Sequence, residues 1–160
     1  MTDFKDIHFM RYDDLPDVSL YVDQLLDTLE DMLKPFEILS DKKLLTKSMV
    51  NNYVKLNLVS PPEKKRYGKK QLAQLMAIAL FKQVFSIEEI ELLFKIQSLH
   101  YETAIAYDYL MQELENALSF EFLDGKALPL HASHETEQTK LVRAMTLALA
   151  SKLFVQSQLE

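Results

Sequence analysis

The chain has 160 residues, enough for one domain or for a small domain with a helical extension. It has no cysteine, which excludes disulfides, thiolate catalysis and thiolate-ligated metal sites, and its two glycines are too few for phosphate-binding loops. The net charge of −6 conceals an asymmetry: residues 42–70 hold nine basic and one acidic side chain, net +8, and the remainder is net −14.

The first half of the chain predicts helices separated by proline breaks. Asp17 is a candidate N-cap for a first helix that ends before Pro35, and a second short helix near 37–44 is ambiguous. Thr46 is predicted to cap a helix over 47–56. Its inner side would carry Met49, Val50, Tyr53 and Leu56.

Past that helix, Asn57 suits the left-handed residue that follows a helix end, and Pro61-Pro62 favours an extended connection. A small hairpin around 58–67 is the one strand-like feature of the sequence.

The second half reads as four helices. A nearly continuous apolar helix is predicted over 70–84, and Ser86 with Glu89 forms a capping box for the next short helix. Two longer helices follow at about 98–121 and 135–157. We therefore expect an all-α protein. The start has no basic, apolar signal pattern and no apolar run is long enough for a bilayer, so we expect a cytoplasmic location and no membrane contact.

The segment 45–67 has the composition of a helix that reads a nucleic-acid duplex. An α-helix fits the major groove of B-form DNA, and an asparagine amide matches the donor and acceptor on the edge of adenine. Asparagine is also a poor helix former, so two of them, Asn51 and Asn52, inside one helix require a reason. Duplex contact is one reason, and an internal polar network is the other.

Basic residues around this helix would supply phosphate contacts, which give affinity and position. The alternative is a solvated charged loop. The residues predicted to contact nucleic acid are Lys47, Asn51, Asn52, Lys55, Lys64, Lys65, Arg66, Tyr67, Lys69 and Lys70.

The order of these parts resembles the winged helix-turn-helix of the MerR family of bacterial transcription regulators. By that comparison Asn52-Tyr53 matches the tyrosine pair that ends the recognition helix, and Asn57-Leu58 matches the Gly-Leu turn. Lys65-Arg66-Tyr67 matches the wing, and Phe85–Ile90 a later helix start. Over about 14–95 the chain resembles more closely a bacterial family described only as a domain of unknown function, which has been linked to MerR-like DNA binding by structure.

The chain departs from the MerR pattern in three respects. Asn51 and Asn52 replace the usual arginine and first tyrosine. The cysteines of metal and redox sensors are missing, and residues 96–160 resemble no effector domain.

Together these observations predict a winged helix-turn-helix domain over 1–95 and a helical dimerisation or sensor extension over 96–160. The function would be sequence-specific binding of double-stranded DNA as a transcriptional regulator. A homodimer is expected, with a stripe of the last helix as its interface: Leu141, Met145, Ala148, Leu149, Lys152 and Leu153. The alternative is a helical protein-interaction module that lacks DNA binding.

Other clusters suggest weaker hypotheses. His131 and His134, followed by Glu135 and Glu137, have some character of metal ligands, but Ser133 as a helix cap explains them better. Aromatic residues of the last two helices would either line a small-molecule pocket or form core: Tyr101, Tyr107, Tyr109, Phe120 and Phe122. We expect no enzyme activity, cofactor or metal, and the sequence identifies no effector.

Overall fold

The computed structural model describes residues 3–123 and 135–160, and over these ranges the fold is all-α. Six α-helices follow one another: α1 (Val22–Leu33), α2 (Lys47–Lys55), α3 (Lys69–Phe81), α4 (Ile87–Ser98), α5 (Thr103–Phe122) and α6 (Glu137–Leu159). Short 3₁₀ helices lie at Phe4–Asp6, Tyr12–Asp14 and Lys34–Leu39. No helix within the described ranges is both long enough and apolar enough to cross a membrane.

Helix α3 forms the centre of the core. Its residues are apolar around most of the helix, so it must be covered on all sides, and Leu72, Leu75 and Leu80 are fully buried. Helices α1, α5 and α6 pack against it, and α5 also packs along α6. A helix so enclosed is a rigid base for the segments that precede it.

The N-terminal arm, residues 3–15, lies across α5. Phe4 and Phe9 are buried, with their rings 5.1 Å from that of Phe122 and 5.6 Å from that of Phe36, respectively. One buried core therefore joins residues on both sides of position 95/96. The division into two domains there stays a prediction.

The first helix begins later than predicted. Asp17 is not its N-cap, because α1 starts at Val22 and Tyr21 precedes it, with the Tyr21 amide bonded to Gln24 Oε1. Leu20 instead exchanges two backbone hydrogen bonds of 2.8 Å with Tyr67, which holds this stretch extended. The ambiguous segment at 37–44 is a 3₁₀ helix over Lys34–Leu39, with Pro35 in its first turn.

The last helix corrects the predicted dimer interface. Met145, Leu149 and Leu153 are buried inside the chain, where α6 packs on α5 and α3. This stripe is used by the chain's own core, because an amphipathic helix beside another apolar helix buries its apolar face locally. These three residues are not free to join a second copy, whereas Leu141 and Ala148 are partly buried and Lys152 is exposed.

Candidate nucleic-acid interface

Helix α2 presents one buried side and one exposed polar side. Thr46 caps it as predicted, since its hydroxyl accepts a bond from the Met49 amide, and Val50 and Tyr53 are buried. Leu56, predicted to face inward, is 40% exposed because the helix ends at Lys55. Four of the residues predicted to contact DNA are exposed on the outer side: Lys47, Asn51, Asn52 and Lys55.

The two asparagines make no internal polar network. Neither Asn51 nor Asn52 has a side-chain hydrogen bond to any residue in the part of the chain that the structure describes. Helix propensity therefore disfavours both residues, and no internal bond offsets that cost. Their amides are free to bond with a ligand.

A lysine that the sequence analysis missed supports α2 from behind. Lys82, at the end of α3, places its Nζ 3.0 Å from Met49 Sδ and 3.5 Å from the Tyr53 hydroxyl. Partial burial lowers the pKa of Lys82 and raises the pKa of Tyr53. The one sequence signal for this residue is a lysine directly after a wholly apolar helix.

Residues 63–66, which we call the basic turn, form a two-residue hairpin turn. The Glu63 amide donates to the Arg66 carbonyl at 3.0 Å, and the Arg66 amide donates to the Glu63 carbonyl at 2.9 Å. Lys64 and Lys65 between them have φ of 50° and 63°. This bridge is what the structure shows of the predicted hairpin, and the described residues contain no β-strand.

The backbone of the basic turn is strained for its sequence. Positive φ at both central positions is the signature of a type I′ turn, which strongly prefers Asn-Gly. A left-handed conformation costs a residue with a Cβ about 1–2 kcal/mol. Lys64 and Lys65 are exposed and have no bond to any described residue, so the lysines bring the fold no contact that offsets this cost.

Arg66 is held by a tyrosine that was also missed. Because Leu20 pairs with Tyr67 in antiparallel register, Tyr21 lies beside Arg66. The guanidinium Nη2 donates to the Tyr21 hydroxyl at 2.9 Å, and Cζ lies 4.7 Å from the centre of the ring. The pair fixes the direction of Arg66 at the surface.

The loop between α2 and the basic turn is fixed by the first turns of α3. Gln74 Oε1 accepts from the Ser60 amide at 2.9 Å, and Gln71 Nε2 donates to the Pro61 carbonyl at 3.2 Å. At the end of α2, Asn57 has φ of 60°, which confirms the predicted left-handed terminator. The position of the turn relative to α2 is thus set by hydrogen bonds to the core helix.

The remaining predicted residues differ in exposure. Lys70 is exposed, whereas Lys69 donates to the Asp13 carbonyl at 3.3 Å and is partly buried. Tyr67 is 6% exposed and belongs to the core, and burial raises the pKa of its hydroxyl. Exposed and unbonded positions therefore concentrate on α2, Lys64, Lys65 and Lys70.

The cluster of histidines and glutamates acquires no new role. His131 and His134 lie outside the described residues, and the described ranges contain no group of three or more His, Asp or Glu that could hold a metal ion. The Tyr107 hydroxyl donates to the Met10 carbonyl, and Phe122 packs against Phe4 and Phe154, as core residues do.

Comparison with known protein families places most of the chain in a family. A family model described as "Domain of unknown function (DUF1836)" matches residues 10–114, from the N-terminal arm into α5. No curated protein and no solved structure matches the chain. The match includes α2, the basic turn and Tyr21, so the whole candidate interface lies within it. Since it covers more than half of the chain, the protein belongs to the DUF1836 family.

Proposed function

We propose that the protein is a sequence-specific DNA-binding transcriptional regulator of MerR-like design, in which α2 enters the major groove and the basic turn contacts the flanking phosphates. The observation that carries the proposal is the basic turn. Two lysines occupy strained left-handed positions with no bond to any described residue. Strain of this kind clusters at functional sites, where a ligand contact outweighs its cost.

The exposed side of α2 supplies the reading surface. Asn51 and Asn52 have free amides, and bidentate contact with adenine is the typical use of such a group in the major groove. Lys47 and Lys55 lie near opposite ends of the nine-residue helix, so they suit phosphates on opposite sides of a groove. The basic turn then corresponds to a short wing.

A homodimer belongs to the same proposal, because one helix of this length reads only a few base pairs and symmetric dimers double the site. The buried residues of the α6 stripe are not available for its interface. We place the interface on exposed apolar side chains of α4, of the turn after it and of the start of α5: Leu92, Ile96, Leu99 and Ile105. Sedimentation velocity of the wild type and of Leu92→Asn/Leu99→Asn tests this. We expect a dimer for the wild type and a monomer for the variant.

The deciding experiment selects duplexes from a randomised pool and measures affinity by fluorescence anisotropy for the selected and a scrambled duplex. Measurements at several salt concentrations should give a slope of log affinity against log salt of about −0.9 per phosphate contacted. Asn51→Ala/Asn52→Ala should remove most of the preference for the selected duplex and leave the salt slope unchanged. Gln156→Ala/Gln158→Ala, at the far end of α6, is the matched control.

Three results would count against the proposal. Selection that enriches no sequence removes the claim of specificity. A preference that survives the double asparagine substitution removes α2 as the reading helix. Absence of binding to any duplex at low salt would favour the alternative, in which the same basic surface contacts an acidic protein.

A further inference from the structure

A cavity lies between α3, α4, α5 and α6, beside the end of α2. Its volume is about 420 Å³, within the range of small-molecule sites, and its walls are mainly apolar. The lining includes Ala77, Phe94, Ala106, Tyr107 and Val142. It lies apart from the exposed side of α2 and from the basic turn.

One polar side chain of the wall has a buried atom without a partner. Gln97 Nε2 is buried and makes no hydrogen bond within the described residues. An unsatisfied buried donor costs about 1–3 kcal/mol, so such groups in a folded protein call for an explanation. The terminal torsion of glutamine is soft, so a small rotation of the amide offers this donor to a molecule in the cavity.

The charges at the rim indicate an uncharged occupant. Glu91 and Lys95 line the cavity and pair with each other at 3.9 Å, so neither sign of charge is in excess there. The apolar wall and the buried, unpartnered donor of Gln97 then define the ligand chemistry. The occupant is mainly hydrocarbon or aromatic and carries a hydrogen-bond acceptor.

The cavity also touches the segment that ends α2. Leu56, Asn57 and Leu58 form part of its wall. The amides of Leu58 and Val59 both donate to the Tyr53 carbonyl, at 2.9 and 3.2 Å, and so fix how the chain leaves the helix. A molecule that contacts residues 56–58 would change the position of α2 relative to the loop that follows it.

We propose that this cavity binds an uncharged, mainly apolar small molecule with a hydrogen-bond acceptor, which Gln97 recognises. Occupancy shifts the end of α2 and thereby changes DNA affinity. The second statement rests on the proposed function, whereas the first does not.

Nile red, an uncharged dye with a carbonyl acceptor, is a suitable probe because its fluorescence rises in apolar surroundings. Titration into the full chain without DNA should show saturable binding of one dye per chain. Ala106→Phe fills the cavity and should weaken binding at least tenfold. Val155→Asn, at an exposed position of α6 outside the cavity lining, is the matched control for adhesion to surface apolar groups and should bind as the wild type does.

Gln97→Leu keeps the test decisive if Ala106→Phe does not fold. This variant removes the unpartnered amide, so we expect a higher unfolding midpoint without dye and roughly five- to tenfold weaker dye binding. Unsaturable fluorescence, binding that survives both cavity variants, or binding lost in Val155→Asn would each overturn the site.

The proposed effect of cavity occupancy on DNA affinity is measured separately. A mobility shift of the selected duplex, with and without saturating dye, should show at least a threefold change in affinity for the wild type and none for Ala106→Phe. Unchanged affinity with confirmed dye binding would overturn the coupling alone. Loss of duplex binding in the absence of dye would bear on the proposed function and leave the cavity site standing.

Discussion

The contact between the N-terminal arm and α5 and the basic surface of α2 with its turn are both polar, yet they use their charges in opposite ways. Along the arm, Glu115 accepts from the Phe9 amide at 3.0 Å and pairs with Arg11 at 2.6 Å and His8 at 2.8 Å. Asp108 likewise accepts from the Tyr12 amide at 2.7 Å. The charged groups of this contact are therefore paired within the folded chain.

On the basic surface, which is the exposed side of α2 together with the basic turn, the lysines have no partner within the described residues. Lys47, Lys55, Lys64 and Lys65 are exposed and bond to no other described residue. Exposed charges without partners contribute little to stability; in the proposed function, their concentration in one segment serves phosphate binding. This difference predicts that substitutions at the arm lower stability and leave DNA affinity unchanged. Substitutions on the basic surface should lower DNA affinity without lowering stability.

The largest effect is expected at the arm. Glu115→Ala leaves Arg11, 22% exposed at its side chain, without its carboxylate partner and removes the acceptor of the Phe9 amide. Breaking such a partly buried pair should lower the free energy of unfolding by about 2–3 kcal/mol. Urea unfolding at pH 7 measures it. Glu115→Gln keeps an acceptor and should lose less; equal losses would mean that the charge, and not the neutral acceptor, carries the whole contribution.

The basic turn should show the opposite pattern. Lys64→Asn/Lys65→Gly puts the preferred type I′ pair at the two left-handed positions, so the free energy of unfolding should rise by about 1 kcal/mol. Affinity for the selected duplex should fall about tenfold, and the salt slope should become shallower by about 2, as two phosphate contacts are lost.

The control for the turn removes two exposed lysines outside residues 42–70. Lys34→Asn/Lys140→Asn makes the same change in net charge and should leave both stability and affinity nearly unchanged. If this control weakens DNA binding as much as the turn variant does, total charge rather than the turn governs affinity.

The capping box of Ser86 and Glu89 tests an exposed charge that has a partner, because the Glu89 carboxylate is hydrogen-bonded. Its hydroxyl accepts from the Glu89 amide at 3.1 Å, and Glu89 accepts from the Ser86 amide at 3.0 Å. Ser86→Ala should lower the free energy of unfolding by about 1 kcal/mol through loss of the cap, with DNA affinity unchanged. A changed affinity would mean that α4 takes part in binding.

The same capping box predicts a dependence on pH. Hydrogen bonds from the Ser86 backbone and then from its side chain lower the pKa of Glu89 below its usual 4.5. Because the folded-state pKa is depressed, the contribution of Glu89 is present above pH 4.5 and is lost as pH falls through the folded value. Urea unfolding of Glu89→Gln and wild type should therefore differ at pH 7 and converge in strong acid.

The sequence predicted those features whose causes are local. Thr46, Asn57 and Ser86 act on residues within four positions, and the structure confirms all three. Asp17 failed because the competing contact of Leu20 is with Tyr67, far along the chain, which no local pattern reveals.

The same limit applies to the candidate interface. The outward side of α2 follows from helical periodicity, and the structure bears it out for Lys47, Asn51, Asn52 and Lys55. Tyr21 and Lys82 were missed because their partners lie 45 and 29 residues away. The burial of the α6 stripe was missed for a related reason: an apolar stripe does not say whether it packs within a chain or between chains.

The smallest effect is expected at Tyr21, which precedes α1 and orients a charge of the basic turn. Tyr21→Phe removes the hydroxyl that accepts from Arg66 but keeps the ring beneath the guanidinium, so duplex affinity should fall by about twofold. Tyr21→Ala removes both contacts and should lower affinity several-fold, since Arg66 must then be ordered on binding. Anisotropy at fixed salt separates the two, with unfolding followed in parallel. If Tyr21→Ala lowers stability and leaves affinity intact, the pair of Tyr21 and Arg66 stabilises the fold and takes no part in DNA binding. The basic surface would then consist of α2 and the two strained lysines alone.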